Sequence, residues 1–180
     1  MQTMMKTDKD TFYKNKTDKK TLPQINIEEL INDDTWDLFF KLISNYYKLL
    51  DDEIEEHDLT DAQRTLMAFN ILYGEITTGG FLELIKNGHC NYIFEFRFSE
   101  TLKKWGAIEL AAIIDQARKI YFFQKTELET AITTHEIFEM YHHYPEFNVL
   151  DNAFFKIMNF QADKIKHYIQ HHIDEFAIVV

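Results

Sequence analysis

Apolar side chains recur every three or four residues along most of this chain, and that spacing predicts α-helices. Two stripes are especially regular, formed by Trp36, Phe39, Phe40, Ile43, Tyr47 and Leu50, and by Ala62, Leu66, Phe69, Tyr73 and Ile76. Two more follow, formed by Leu110, Ile113, Ile114, Ala117, Ile120 and Tyr121, and by Phe154, Ile157, Met158, Ile165, Tyr168, Ile169 and His172. No alternating strand pattern matches them in quality, so the sequence predicts an all-α fold.

Capping residues and helix breakers mark where these helices begin and end. Three pairs have capping-box spacing, in which two side chains satisfy exposed backbone amides: Asn26 and Glu29, Thr60 and Gln63, and Thr126 and Glu129. Gly79 is expected to take a left-handed conformation that ends the second stripe, and Gly80 to let the chain turn into the core. Pro145 predicts a helix end near Tyr144, and the last helix is expected to begin near Asp151.

Turn-forming residues are scarce, which argues against a many-stranded sandwich or barrel. The 180 residues include five Gly and two Pro, whereas such folds need a turn about every 8–12 residues. We therefore predict a single-domain helical bundle of seven or eight helices over residues 23–180, with its main part at 59–176. Residues 1–22 are predicted to be a polar, mobile N-terminal arm, since six Lys and three Asp dominate the first twenty positions.

The charge of the chain is the next informative feature. Beyond residue 20 the sequence carries 27 Asp and Glu against 13 Lys and Arg. Such a surface repels the phosphates of nucleic acids and membranes and attracts basic protein surfaces. The densest acidic stretch consists of Asp51, Asp52, Glu53, Glu55, Glu56, Asp58 and Asp61. A second acidic group, expected beside the first, consists of Glu28, Glu29, Asp33, Asp34 and Asp37.

Cysteine content and hydropathy indicate the compartment. The single Cys90 has no internal partner for a disulfide. No uninterrupted apolar run approaches the roughly 18 residues of a membrane span, and the N-terminus lacks the apolar stretch of an export signal. We expect a cytoplasmic protein.

Histidines and carboxylates one helical turn apart leave a metal site as an alternative. His135, Glu139 and His142 have this spacing, but the segment lacks the second histidine of the His-Glu-x-x-His metalloprotease motif. A buried, hydrogen-bonded histidine is the other interpretation of His135. Neither Cys90 nor either serine lies in a nucleophile motif, and the Gly79-Gly80 pair lacks the lysine of a phosphate-binding loop.

An aromatic row stands in an ambiguous segment. Tyr92, Phe94, Phe96 and Phe98 alternate with other residues, as in a strand, whereas their neighbours favour a helix. The row suits the core or the centre of a dimer interface, where aromatic residues are favoured, and both interpretations stay open.

Several short motifs resemble a known bacterial family. They are Gly74-Glu75-Ile76-Thr77-Thr78-Gly79-Gly80-Phe81, Asn87-Gly88, Trp105-Gly106-Ala107, Leu150-Asp151-Asn152-Ala153-Phe154 and Tyr168-Ile169. In this order they resemble the DNA-mimic-protein-like domain family, mostly of unknown function, whose named member is an acidic, dimeric DNA mimic. Trp105 replaces the usual aliphatic residue, and Thr78 stands where Asn is common. The resemblance covers Leu59 to Phe176.

The resemblance implies an all-helical fold in which surface carboxylates stand in for DNA phosphates and sequester a basic DNA-binding protein or transcription regulator. We therefore predict a non-enzymatic protein, without cofactor or metal, that forms homodimers and does not bind nucleic acid directly. Its predicted binding residues are Asp51, Asp52, Glu53, Glu55, Glu56 and Asp58. Two alternatives remain open: a metal-dependent hydrolase using His135, Glu139 and His142, and a scaffold without a charge-dependent partner.

Overall fold

A computed structural model describes residues 22–51, 54–134 and 137–180. Within these ranges the helices are α1 Ile27–Asn32, α2 Thr35–Asp51, α3 Asp61–Lys86, α4 Cys90–Ile93, α5 Phe96–Lys104, α6 Ile108–Phe123, α7 Lys125–Thr134, α8 Ile137–His143 and α9 Pro145–His171. Short 3₁₀ turns occupy Glu56–Asp58 and Ile173–Glu175. The predicted all-α fold is confirmed, with nine α-helices in the described ranges instead of seven or eight. The predicted arm lies outside them except for Leu22.

The two longest helices, α3 and α9, pack against each other and against α2. Trp36 of α2 lies over Phe69 and Tyr73 of α3, with ring centroids 6.2 and 4.1 Å apart. Tyr73 in turn contacts Phe154 of α9 at 6.5 Å. Because each buried aromatic ring removes a large apolar area from water, these contacts join the three helices into one core.

Two of the three predicted capping boxes are confirmed. Asn26 Oδ1 accepts the Glu28 amide at 2.7 Å, and Thr60 Oγ1 accepts the Gln63 amide at 3.1 Å. The third, at Thr126, is wrong because α7 already begins at Lys125. The carbonyl of Gln124 accepts the Leu128 amide at 2.9 Å, which places Thr126 inside the helix.

The predicted start of the last helix near Asp151 is also wrong. Helix α9 begins at Pro145, and the preceding α8 ends at His143. Proline has no amide hydrogen and a fixed φ, so it ends one helix and is well suited to the first position of the next. A single residue therefore serves both roles here.

A pair of two-residue strands was not predicted. Strand β1 Gln24–Ile25 pairs in parallel with β2 Ile178–Val179. The C-terminal segment is also tied to the helices, because the Tyr46 hydroxyl donates to the Phe176 carbonyl at 3.1 Å. These contacts hold both ends of the described chain beside α2.

The Gly79-Gly80 junction kinks α3, and its geometry corrects the prediction for Gly79. The left-handed residue is Gly80, with φ of 75°, whereas Gly79 has φ of −152°. The Phe81 amide donates to Asp151 Oδ1 at 2.9 Å. The Tyr141 hydroxyl lies 2.6 Å from Asp151 Oδ2 and 3.0 Å from the Gly79 carbonyl. A Cβ at Gly80 would overlap both Tyr141 and Asp151.

This junction is a buried polar centre that joins α3, α8 and α9. Asp151 is 8% exposed, and its burial raises the pKa of its carboxyl, against the opposing effect of hydrogen bonds from Tyr141 and Phe81. The resembling motifs around Gly80 and Asp151 thus meet in space, and their role here is structural.

The aromatic row runs from α4, which contains Tyr92, through Phe94 between the helices, to Phe96 and Phe98 in α5. Phe94 and Phe98 are fully buried, as the core interpretation predicts, and Tyr92 is partly buried. The Tyr92 hydroxyl lies 3.0 Å from Thr65 Oγ1 on α3. The side chain of Phe96 is outside the described part of the structure. As for membranes, no described helix combines the length and apolar character needed to cross a bilayer.

Candidate protein-binding site

We define the acidic loop as residues 51–58, which are the last residue of α2 and most of the segment that joins α2 to α3. Four of the six predicted binding residues in it are described and all four are exposed: Asp51, Glu55, Glu56 and Asp58. Asp52 and Glu53 lie outside the described residues. The predicted carboxylates that can be placed therefore face solvent at one end of α2.

A 3₁₀ turn at Glu56–Asp58 fixes the backbone in the second half of this loop. The Glu55 amide donates to Asp58 Oδ2 at 3.2 Å, and the Asp58 amide donates to the Glu55 carbonyl at 2.9 Å. The imidazole of His57 lies between the two acids, with Nδ1 3.2 Å from Glu55 Oε2 and Nε2 3.5 Å from Asp58 Oδ1. The turn thus presents three carboxylates, with Glu56 among them, on a short, internally bonded segment.

Asp61 differs from its acidic neighbours. It forms an ion pair with Arg64 one turn later in α3 and a second with Arg97 of α5, at 3.3 Å. Two of the protein's own guanidinium groups therefore offset its charge, and it contributes little to an acidic surface.

A hollow of about 590 Å³ opens beside the loop. Its lining includes Glu55, Glu56, Asp61 and Glu95 with Arg64 and Arg97. Glu95 was not among the predicted binding residues. It precedes α5 and is brought to the loop by the packing of α4 and α5 on α3. No local pattern in the sequence indicates that Glu95 lies close to the acidic loop. We refer to the cavity as the acidic hollow.

The second acidic group does not lie beside the first, contrary to expectation. It surrounds the start of α2, whereas the acidic loop begins at the last residue of this 17-residue helix, which is about 25 Å long. Lys41 binds Glu29 at 3.1 Å and Asp33 at 2.8 Å. Asp34 accepts the Trp36 and Asp37 amides at 2.8 Å each. Most of this group therefore stabilises the fold locally.

The candidate metal ligands are only partly described. His135 lies outside the described residues, while Glu139 and His142 are exposed on α8. The His142 ring packs edge-to-face on Phe138 with centroids 4.9 Å apart. In the described ranges no group of three His, Cys, Asp or Glu side chains is arranged to hold a metal ion. The metal-dependent alternative remains a prediction, and a stoichiometric metal in the purified protein would support it.

Comparison with known proteins places the chain in a family. Residues 57–172 match the family model described as DMP19-like protein. Over 120 residues the chain is 29% identical to the DNA mimic protein DMP19 of Neisseria meningitidis serogroup B strain MC58, a match covering 66% of this chain and 73% of that protein. The family match includes the Gly80 junction, Glu95 and Asp151, and of the four described binding candidates it contains Asp58 alone. This chain belongs to the DMP19-like protein family.

Proposed function

We propose that this protein is a non-enzymatic DNA mimic that binds a basic DNA-binding protein through the acidic loop and keeps that protein from DNA. The proposal rests on the surroundings of four carboxylates, those of Asp51, Glu55, Glu56 and Asp58. All four are exposed, and no Lys or Arg in the described ranges forms an ion pair with them. Their charge is therefore available to a partner.

The electrostatics of such a complex follow from the number of contacts. Duplex DNA presents one phosphate charge about every 1.7 Å of its axis. A protein that binds DNA carries Lys and Arg side chains spaced to contact these phosphates. Each exposed carboxylate-to-cation pair contributes about 0–1 kcal/mol and is screened by salt. A partner bound by several such pairs is expected to dissociate as ionic strength rises.

The relative's name and the position of the family match support different parts of the proposal. The relative is named a DNA mimic, which supports the general role. The match begins at His57, so most of the acidic loop precedes it. We infer that the loop adapts this chain to its own partner.

Three further assignments belong to the proposal. Residues 23–180 form one helical domain, while the arm predicted at residues 1–22 lies outside the described residues except for Leu22. The protein acts in the cytoplasm, where DNA-binding proteins are found, and it forms a homodimer.

Neutralising the acidic loop is expected to weaken partner binding. The variant Glu55→Gln with Glu56→Gln removes two charges without changing side-chain size, and we expect captured nucleic-acid-binding proteins to be retained about 3- to 30-fold less, from roughly 0.3–1 kcal/mol per pair. The measurement is affinity capture from host lysate on the immobilised full chain at low and high salt.

A matched variant controls for net charge. Glu28→Gln with Asp37→Asn removes the same two charges from exposed positions near the other end of α2, and we expect it to retain the captured proteins. The proposal fails if the captured set contains no nucleic-acid-binding proteins, or if both double variants reduce retention equally.

A further inference from the structure

An apolar groove of about 330 Å³ lies next to the acidic hollow. It runs between α2, α3 and α4, and its apolar lining includes Tyr47, Leu50, Met67, Ile71 and Ile93. We refer to this cavity as the apolar groove. Both cavities are lined by Glu56, Arg64 and Tyr92, so they adjoin along these three residues. We refer to the two together as the depression, with an apolar part and an acidic part.

The charges along the depression favour one kind of occupant. At the end of the apolar groove, Glu56 has no Lys or Arg partner among the described residues. Arg64 and Arg97, which also line the depression, are both engaged by Asp61. Farther along, Glu55 and Glu95 line the hollow. The complementary surface is therefore an apolar side chain with cationic side chains next to it.

The energetics of binding call for such an apolar side chain. An exposed ion pair changes affinity by a factor of about 1 to 5, so a few carboxylates alone give a weak complex. A buried Leu or aromatic side chain contributes on the order of 10- to 100-fold. Most interface energy comes from a few such central residues. The apolar groove lies beside the acidic loop and has room for one such side chain.

We propose that the apolar groove receives one aliphatic or aromatic side chain from a basic segment of the protein partner, while Lys or Arg side chains of that segment lie on Glu55, Glu56 and Glu95. This rests on the proposed function and adds to it the chemistry of the partner: a basic segment with an apolar anchor, not a uniformly cationic surface.

The test uses peptides selected on the full chain at low salt from a displayed library of random 12-residue sequences. Selected peptides are synthesised with a fluorophore, and their Kd values are measured by anisotropy for the native chain and two variants. Tyr47→Gln changes the apolar groove. Phe40→Gln is the matched control, because Phe40 is a more exposed aromatic residue of the same helix, two turns before Tyr47, and lies outside the lining of the groove.

The expected peptides carry an aliphatic or aromatic residue close to at least two Lys or Arg. Tyr47→Gln should weaken their binding about 10-fold or more, and Phe40→Gln less than twofold. The methyl signals of Met67 and Ile71 should shift in the NMR spectrum of the native chain when peptide is added. Replacing the apolar residue of the peptide by Ala should reproduce the loss.

Other outcomes overturn the groove proposal and distinguish its failure from that of the proposed function. Purely basic peptides that bind equally to the native chain and Tyr47→Gln, and are weakened by Glu55→Gln with Glu56→Gln, overturn the anchor but leave the DNA-mimic proposal standing. Apolar peptides whose binding changes neither with salt nor in the variant Glu55→Gln with Glu56→Gln overturn both the groove proposal and the DNA-mimic proposal. Peptides that leave the Met67 and Ile71 methyl signals unmoved place the occupant elsewhere and overturn the groove proposal.

Discussion

Replacing Gly80 with Ala is expected to lower the free energy of unfolding by about 2–6 kcal/mol. Two effects add at this position. The backbone has φ of 75° and ψ of −169°, a region essentially confined to glycine that costs another residue roughly 1–3 kcal/mol. A new Cβ would also overlap the Tyr141 hydroxyl and the Asp151 carboxylate, and such overpacking costs about 1–3 kcal/mol. Urea unfolding of the purified variant, followed by circular dichroism, measures the loss.

Gly106→Ala separates the two effects. Gly106 also has positive φ, at 84°, but among the described residues, its two chain neighbours aside, no atom lies within 4 Å of a Cβ built there. Its substitution is therefore expected to lower the free energy of unfolding only by the cost of positive φ, about 1–2 kcal/mol. Equal losses for the two variants would show that the contacts of Gly80 with α8 and α9 contribute nothing.

Replacing Asp151 with Ala is expected to destabilise the fold by about 2–4 kcal/mol. The Phe81 amide would lose its acceptor, and the Tyr141 hydroxyl would lose one of its two neighbours. A buried donor without an acceptor costs about 1–3 kcal/mol, and the removed carboxylate leaves a small cavity. The same urea titration measures this loss.

Asp151→Asn is the matched control and also tests the protonation of the carboxyl. The side-chain oxygen of the new Asn can accept from the Phe81 amide, and its side-chain nitrogen can donate to the Tyr141 hydroxyl. That hydroxyl then donates to the Gly79 carbonyl. We expect a loss within about 1 kcal/mol. Burial raises the pKa of Asp151, so as pH rises above about 4 the unfolded chain loses its proton first.

The consequence is a pH dependence with a defined sign. The contribution of Asp151 is fully present below its unfolded pKa, and it is lost as pH rises through the raised folded pKa. The native protein should therefore lose stability relative to Asp151→Asn from about pH 4 upward. A stability difference that stays constant or changes in the opposite direction would contradict this description of the junction.

Local features of the structure could be predicted from the sequence. The periodic apolar residues of α2, α3 and α6 mark their helices, because each helix buries one face against the same core. The capping boxes at Asn26 and Thr60 could also be found, since their partners lie three residues away or fewer. The Pro145 error shows the limit of local signals, because a proline can follow a helix or begin one.

Features that depend on distant residues could not be predicted. The choice of Gly80 over Gly79 for the left-handed position depends on Tyr141 and Asp151, which arrive from α8 and α9. The two-residue strands are too short to show a period, and they pair residues about 150 positions apart. Glu95 joins the acidic hollow through helix packing, whereas the acidic group around Asp33 is kept from it by the length of α2.

Competition with DNA tests the central claim most directly. A DNA-binding protein captured by the full chain is bound to its own fluorescently labelled duplex, and increasing amounts of the chain are added while anisotropy is followed. If the acidic loop occupies the DNA-binding face, the chain should displace the duplex completely, and Glu55→Gln with Glu56→Gln should require about 3- to 30-fold more protein. A stable complex holding the duplex and this chain together would contradict the claim.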